Sequence, residues 1–336
     1  MGKLALNENL EDKRRIIKFS STLRSRIGQH IYGEIWADTI KKQLDEKGLL
    51  DREIHVISAN MHSVMNSIYA PIVLPKEASE NEGIALFELL SMEDNNALRK
   101  KVKKAASKIG LTYIKDQSAT NINVQIIDTA KIDFSKTAYS LTNKNKPVLI
   151  VMDYAFGEQA YETMDELLKP YYCGNANHHL NITSVSIMGK AGILQGGKGD
   201  IMIPSAHIFE GTADNYPFKN ELTKTDLEGF GLNVFDGTMV SVLGTSLQNK
   251  DLLEFFKNST WRAIGLEMEG AHYQKAIQAA SQIRKTISKD VKVRYAYYAS
   301  DNPLETGSTL ASGGLGTTGV KPTYIITQKI LEQIFN

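Results

Sequence analysis

The sequence describes a chain of 336 residues with 39 basic and 38 acidic residues, so the formal net charge is only +1. A chain of this length can form one large α/β domain or two smaller ones, and either can bury a sizeable core. The charge balance leaves no basic excess for nucleic acid or an anionic membrane, so neither is expected as a partner.

The cysteine content and the apolar runs indicate the compartment. The single cysteine, Cys173, excludes an internal disulfide, which is typical of proteins in a reducing compartment. No apolar run approaches the roughly 18 residues needed to span a bilayer, and the first residues lack the apolar core of a signal peptide. A cytoplasmic protein is therefore expected.

The first part of the chain predicts helices around a short strand. Residues 12–48 have apolar side chains at spacings of three and four and end at Gly48, which predicts a helical region. Residues 54–58 predict a buried strand. A polar cluster follows that strand, and its members either line a ligand site or are satisfied as turn and cap residues: Asn60, His62, Ser63 and Asn66.

The next segments predict another helical region, a strand and a boundary. Residues 82–109 are lysine-rich with one apolar stripe, which is typical of a helix with a solvated face. Residues 123–128 predict a strand. The polar connector at residues 142–147 is the best candidate boundary and divides the chain into residues 1–146 and 147–336.

Strand and helix patterns alternate after this boundary. Strands are predicted at residues 148–152, 182–188, 201–204, 239–243 and 293–299, and helices at residues 160–168, 250–257 and 324–335. This alternation predicts a mainly parallel sheet covered on both faces.

The stretch at residues 261–283 carries the most informative acids. A short apolar strand ends in Glu267 and Glu269, and Gly270 then opens a helical pattern. Acids at positions i and i+2 of an extended segment point the same way, and the carboxyl ends of strands face the ligand crevice of open α/β sheets. The alternative is that both acids are solvated or cap the helix.

A glycine-rich segment at residues 189–200 invites comparison with phosphate-binding loops. Gly199 stands where a P-loop needs Ser or Thr, and the dinucleotide-binding pattern G-x-G-x-x-G is absent after the first strand. Small residues there either allow the backbone to approach a sugar or phosphate or form a tight strand connection.

Three motifs together resemble the purine nucleoside phosphorylase and nucleosidase superfamily, also called the PNP/UDP phosphorylase superfamily. They are Glu-Met-Glu-Gly-Ala at 267–271, Ser-Asp at 300–301, and Gly-Lys-Ala-Gly-Ile-Leu at 189–194 followed by Gly-Asp-Ile at 199–201. The resemblance covers about residues 147–335. It implies an α/β, three-layer nucleoside phosphorylase-like fold with a mixed, mainly parallel sheet, and a homo-oligomer. Residues 1–146 would form an N-terminal α/β extension that caps the site, builds a subunit interface or extends the sheet.

The resemblance also implies roles for individual side chains. Glu269 would hold the ribose hydroxyls, and Asp301, beside Ser300, would face the purine and protonate it; Glu267 would either keep that proton on Asp301 or be structural. Met268 would lie beneath the ribose, and Glu158 would either activate water or open a helix. The remaining candidates for contact with the substrate are Gly189, Lys190, Ala191, Gly192 and the aromatic residues Phe156, Tyr216 and Phe218, which either stack on the base or belong to the core.

The functional prediction depends on whether the nucleophile is water or phosphate. Many phosphorylases of the resembled superfamily have an Arg at the position of Ile187, and an apolar side chain cannot balance a phosphate dianion. Hydrolysis of a purine nucleoside or nucleotide by a nucleosidase is therefore predicted. Lys190 leaves open a phosphorylase with phosphate as co-substrate, and an inactive nucleoside-binding sensor is a further alternative. The seven histidines contain no H-E-x-x-H pattern, so neither a metal nor another cofactor is expected.

Overall fold

The computed structural model describes residues 31–142, 145–173, 176–244, 249–305 and 316–336. The strands are β1 (Ile54–Ser58), β2 (Leu111–Ile114), β3 (Val124–Asp128), β4 (Val148–Met152), β5 (Tyr171–Cys173), β6 (Ala176–His178), β7 (Ile182–Ile193), β8 (Ile201–Phe209), β9 (Asn215–Pro217), β10 (Val234–Ser241), β11 (Ala263–Glu267) and β12 (Lys292–Asp301). The α-helices are α1 (Ile31–Glu46), α2 (Met61–Val73), α3 (Pro75–Glu80), α4 (Ala85–Ser91), α5 (Asn96–Ala106), α6 (Gln159–Leu167), α7 (Lys224–Leu227), α8 (Lys250–Asn258), α9 (Gly270–Gln278) and α10 (Val320–Phe335). Across these ranges, no helix is both long enough and apolar enough to cross a membrane.

A single mixed sheet contains all of these strands except β5 and β6, which pair with each other. Its order is β11-β10-β8-β12-β7-β1-β4-β3-β2, with β9 paired to β8. The pairings of β1 with β4 and β7, of β7 with β12, and of β10 with β8 and β11 are parallel. The edge formed by β2, β3 and β4 is antiparallel. The predicted α/β class with a mixed sheet is confirmed.

The sheet closes on itself at one end, which differs from the predicted three-layer arrangement. Strand β11 pairs with β10 and also, antiparallel, with β7 through Leu266 opposite Gly192. Strands β7, β12, β8, β10 and β11 therefore form a closed ring, and only the part from β7 to β2 remains open. Closure became possible because β7 is long enough to pair with three neighbours, β1, β11 and β12.

Helices cover both faces of the open part. Alternate side chains of a strand point to opposite faces. Ile187 of β7 belongs to a core that includes residues of α1, α6 and α9. The next residue, Met188, belongs to a second core with residues of α2, α4, α5 and α10. The apolar periodicity of these helices is thereby explained by burial against two sides of one sheet.

The sheet crosses the boundary predicted at residues 142–147. Strand β1 precedes that boundary and lies between β4 and β7, which follow it. Residues 54–142 therefore extend the sheet, which was one of the three roles considered for the N-terminal region. The helical region predicted at residues 12–48 is described only from Ile31 onward, and its earlier part lies outside the described residues.

Several predicted elements have different bounds in the structure. Strand β8 continues to Phe209 instead of ending at residue 204, and β10 spans Val234–Ser241 instead of residues 239–243. Strand β7 continues through Gly189 to Ile193, where the sequence predicted that a turn would begin. The continuation is stabilised by pairing with β12 and β11, which sequence periodicity does not reveal. The helical region predicted at residues 82–109 is divided into α4 and α5 by a 3₁₀ turn, Glu93–Asn95. The loop at residues 306–315 lies outside the described residues.

Candidate active site

A cavity of about 430 Å³ lies where β1, β4 and β11 end and beside residues 187–190 of β7. We call it the acidic pocket, because both acids of the Glu-Met-Glu motif line it. The predicted site residues that line it are Phe156, Gly189, Lys190, Glu267, Met268 and Glu269. Strand ends that converge in this way are the usual place for a ligand site in α/β proteins.

Glu269 is the better placed of the two acids for contact with a ligand. Its Oε1 accepts a hydrogen bond from the amide of Gly157 at 3.1 Å, and its Oε2 accepts one from the amide of Met268 at 3.3 Å. Burial raises the pKa of Glu269, and these two amide hydrogen bonds oppose that shift. A carboxylate oxygen has more than one acceptor position, so the oriented group can also accept hydroxyl hydrogens from a ligand in the pocket.

Glu267 holds together the turn that carries Glu269. It is buried, its Oε1 accepts from the hydroxyl of Ser241, and its Oε2 accepts from the amides of Glu269, at 2.6 Å, and Gly270. Burial raises the pKa of Glu267 to about 8, with a further contribution from the charge of Glu269. Glu267 therefore anchors the start of α9, which is the structural alternative considered from the sequence.

Gly270 is required by the packing beneath this turn. A Cβ atom at this position would lie 2.3 Å from Nε2 of the buried His207 and 2.6 Å from the hydroxyl of Tyr297. Neither ring can move freely, because both belong to a cluster of aromatic side chains in contact. The absence of a side chain here brings α9 close to the sheet and places both acids at the edge of the acidic pocket.

The small residues of β7 serve two purposes, and only one of them involves the pocket. Gly189 lines the acidic pocket, where its backbone is open to a ligand. Ala191 and Gly192 are buried inside the sheet and do not line it. A Cβ atom on Gly265 would lie 2.6 Å from the carbonyl oxygen of Gly192, so small residues here permit closure of the ring. Contact of Ala191 and Gly192 with a ligand stays a prediction, and the acidic pocket does not support it.

Asp301 lies at a β-bulge near the end of β12. Ala299 pairs with Ala191 and Asp301 pairs with Gly192, so Ser300 is the extra residue that the bulge accommodates. Ser300 donates a hydrogen bond to Asp301 Oδ1 at 2.6 Å, and Oδ2 has no partner among the described residues. Burial raises the pKa of Asp301, opposed by this hydrogen bond and by the charge of Lys190. Burial is thus the main cause of the shift, and neither Ser300 nor Asp301 lines the acidic pocket.

Three other predicted site residues lie outside the acidic pocket. Glu158 is exposed at the start of α6, where its carbonyl oxygen accepts from the amide of Tyr161 at 2.9 Å. The ring of Phe218 stacks on His207 with centroids 5.2 Å apart, so Phe218 packs against the core. Tyr216 on β9 contacts the ring of Phe209. The chain after β8 turns toward α9, which takes both aromatic residues away from the pocket.

Several residues of the pocket wall had not been predicted from the sequence: Ser58, Tyr154, Tyr273, Tyr297 and Tyr298. The hydroxyls of Ser58 and Tyr273 lie 3.0 Å apart and are hydrogen-bonded. A signal for Ser58 was present, because it ends a predicted strand just before the polar cluster at residues 60–66. The consecutive tyrosines of β12 precede the Ser-Asp motif, but an aromatic residue in a strand is more often part of the core.

Lys190 is the cation that lines the acidic pocket, and it could hold a phosphate group there. Within the ranges that the structure describes, no three His, Cys, Asp or Glu side chains form a group that could hold a metal ion.

Comparison with solved structures finds several of similar architecture. A futalosine hydrolase mutant of Helicobacter pylori has a TM-score of 0.46 at 11% identity, with 84% of this chain and 98% of that chain covered. The MTAN of Helicobacter pylori has a TM-score of 0.47 at 12% identity, covering 84% and 99% of the two chains. The 5′-methylthioadenosine/S-adenosyl homocysteine nucleosidase of Campylobacter jejuni has a TM-score of 0.48 at 10% identity, covering 84% and 98%.

No curated protein matches the chain in sequence. A family model does match residues 84–336, and its description is a family of unknown function, DUF6909. The match covers most of the chain, including the two acids, the glycine-rich strand and the Ser-Asp bulge. The chain belongs to this family of unknown function.

Proposed function

We propose that the protein hydrolyses the N-ribosidic bond of a purine nucleoside or nucleotide. The observation that carries this proposal is the carboxylate of Glu269, which is oriented by two backbone amides at the edge of a cavity of about 430 Å³. The sequence motifs that resemble nucleosidases support the same reaction.

Glu269 has the chemistry needed to bind and activate the sugar. When the bond between ribose and base breaks, the sugar becomes similar to an oxocarbenium ion and develops positive charge. A carboxylate that accepts the 2′ and 3′ hydroxyl hydrogens orients the ring and stabilises that charge. Met268 lines the same pocket and provides an apolar contact for the sugar, and Phe156, 71% exposed at the pocket wall, is available to stack on the base.

Asp301 is proposed as the acid that protonates the departing base. Burial raises its pKa, which favours the protonated form, and its Oδ2 has no partner among the described residues. A positioned general acid contributes about a hundredfold to ten-thousandfold to a reaction rate. The base would extend from the acidic pocket toward Asp301, which lies outside that pocket and close enough to Lys190 for the lysine charge to act on its carboxyl group.

Water is proposed as the nucleophile. Ile187 lines the pocket and cannot neutralise phosphate, which favours water. Lys190 supports the alternative of a phosphorylase, because it can neutralise an oxyanion in the same pocket. The exposed position of Glu158, outside the pocket, supports a sensor that binds nucleosides without turnover. A cytoplasmic location and a homo-oligomeric state remain predictions.

The deciding experiment is release of free base from a panel of purine nucleosides and their 5′-monophosphates, each with and without inorganic phosphate. Release that does not depend on phosphate supports a nucleosidase. Release only with added phosphate shows a phosphorylase. Binding of nucleosides without release by either route would contradict the proposed hydrolysis and favour the sensor.

A further inference from the structure

A second cavity, of about 420 Å³, meets the acidic pocket at Lys190 and Tyr298, which line both. These two residues are partners in the pairing of β7 with β12. Along β7, Lys190 has the same orientation as Met188, whose side chain packs in the core that includes α2 and α10. The second cavity therefore lies on the α2 and α10 side of the sheet edge. We call it the basic pocket.

The charges around the basic pocket are opposite to those of the acidic pocket. Lys190, Arg99 and His62 line it, and the described residues contribute no Asp or Glu to its lining. Arg99 donates hydrogen bonds to the carbonyl oxygens of Leu90, at 2.6 Å, and Met92, at 2.5 Å. These carbonyls fix the guanidinium group without neutralising its charge.

The surroundings of His62 contain both signs of charge. Burial lowers the pKa of His62, the charges of Lys103 and Arg99 lower it further, and Asp153 opposes them. A neutral His62 can still donate one hydrogen bond, so Lys190 and Arg99 supply the positive charge of the pocket.

The N-terminal end of helix α10 borders the same pocket. The helix continues from a 3₁₀ turn, Gly316–Gly319, and Gly319, Val320 and Thr323 line the cavity. Pro322 in its first turn has no N–H group, so this end contributes mainly the positive end of the helix dipole. An anionic oxygen is the complement of such an end.

Asn66 provides an independent indication that a ligand belongs in the basic pocket. Its side chain is only 3% exposed, lines the cavity, and has an Oδ1 without a hydrogen-bond partner among the described residues. Its Nδ2 contacts the hydroxyl of Tyr324 at 2.9 Å. In the other orientation of the amide, Oδ1 accepts from the Tyr324 hydroxyl and an N–H group is left to donate to a ligand. A buried N–H group without a partner is costly, and in this second orientation it could donate to an anionic oxygen.

We propose that the basic pocket binds an anionic 5′ substituent, such as phosphate, on the nucleoside whose ribose is held by Glu269. This inference rests on the proposed function, because it extends the same substrate from one pocket into the other. The 5′ carbon of ribose lies on the side of the ring away from the 2′ and 3′ hydroxyls. A ribose bound to Glu269 through those hydroxyls therefore directs its 5′ substituent away from Glu269. The basic pocket is the cavity that adjoins the acidic pocket and could receive this substituent.

The test compares kcat/KM for base release from adenosine, inosine and guanosine with kcat/KM for their 5′-monophosphates. We expect the 5′-monophosphates to be preferred by at least about tenfold. The variants Lys190→Gln and Arg99→Gln are each expected to remove most of this preference, a fall of about tenfold, because each removes charge-assisted hydrogen bonds. The matched control is Lys104→Gln, which removes an exposed charge from α5 outside both pockets and is expected to keep the preference.

The outcomes of this test distinguish a failure of the inference about the basic pocket from a failure of the proposed hydrolysis. If nucleosides and their 5′-monophosphates are hydrolysed equally well, the inference is overturned and the nucleosidase stands. If release from neutral nucleosides requires inorganic phosphate, and Lys190→Gln abolishes this phosphate-dependent release, the bound oxyanion is free phosphate and the 5′ assignment is overturned.

Calorimetric titration with ribose 5-phosphate covers the case in which no compound releases its base. Binding that is lost in Lys190→Gln and kept in Lys104→Gln would support the anionic pocket although the proposed hydrolysis had failed. No difference between binding of ribose 5-phosphate and of ribose would overturn the inference.

Discussion

The acidic and basic pockets share Lys190 and Tyr298 but place their charges by different means. In the acidic pocket, Glu267 and Glu269 are neighbours in one turn and are held by backbone amides, those of the turn itself and that of Gly157. In the basic pocket, the cations are carried by side chains from β7 and α5, which are distant in sequence. In the proposed reaction, the acidic pocket fixes the geometry of the ribose, and the basic pocket selects the 5′ substituent.

The largest effect is expected from Glu269→Gln. The neutral amide cannot stabilise positive charge on the sugar, so kcat/KM for base release should fall by about a hundredfold to a thousandfold. The fall should be similar for nucleosides and their 5′-monophosphates, because Glu269 acts on the ribose that both share. The control, Glu254→Gln, removes an exposed acid of α8 and should change little. A loss confined to the 5′-monophosphates would contradict the division of roles between the pockets.

The second prediction concerns the packing that supports the acidic pocket. Gly270→Ala would place a Cβ atom 2.3 Å from His207 Nε2, so the free energy of unfolding should fall by about 3 kcal/mol. Urea denaturation measures this change. Gly197→Ala is the control, since a Cβ atom there meets nothing within 4 Å. Equal stability of the two variants would show that the start of α9 adjusts more easily than its packing indicates.

The third prediction uses the raised pKa of Glu267, which is about 8. The folded protein keeps a proton that the unfolded chain releases near pH 4.5, so stability should decrease as the pH rises from about 4.5 to about 8. The slope for this one group approaches about 1.4 kcal/mol per pH unit within that window. Urea denaturation at several pH values should show a flatter profile for Glu267→Gln than for the unchanged protein. Parallel profiles would assign the pH dependence to other groups.

The smallest effects are expected from two variants that each remove one tyrosine hydroxyl, one at each pocket. Tyr273→Phe removes the hydrogen bond to Ser58 in the acidic pocket, and Tyr324→Phe removes the contact with Asn66 in the basic pocket. Each should lower the free energy of unfolding by about 0.5 to 1.5 kcal/mol. Only Tyr324→Phe should change the preference for a 5′-monophosphate, as measured by the ratio of kcat/KM values. A change of that ratio in Tyr273→Phe would contradict the separation of the pockets.

The part of the site that could be predicted from sequence is the part that is local. Glu267, Met268, Glu269 and Gly270 follow one another between a strand and a helix, so their spacing alone indicated that both acids stand at a strand end. The structure places Glu267, Met268 and Glu269 around one cavity. Tyr297 and Tyr273 could not be assigned in this way, because their contact with the pocket depends on the order of strands in the sheet and on the packing of α9.

The sequence by itself determined the α/β class, most strands and helices after residue 147, and the cluster of acids at the end of β11. These features follow from periodicity and from neighbouring residues. Tertiary structure alone decided that the sheet closes through β7 and β11, that β1 joins it across the predicted boundary, and that Phe218 and Glu158 lie outside the acidic pocket. It also decided that Lys190 serves two pockets. The physical reason is that strand pairing and the face on which a side chain lies are set by contacts between distant segments.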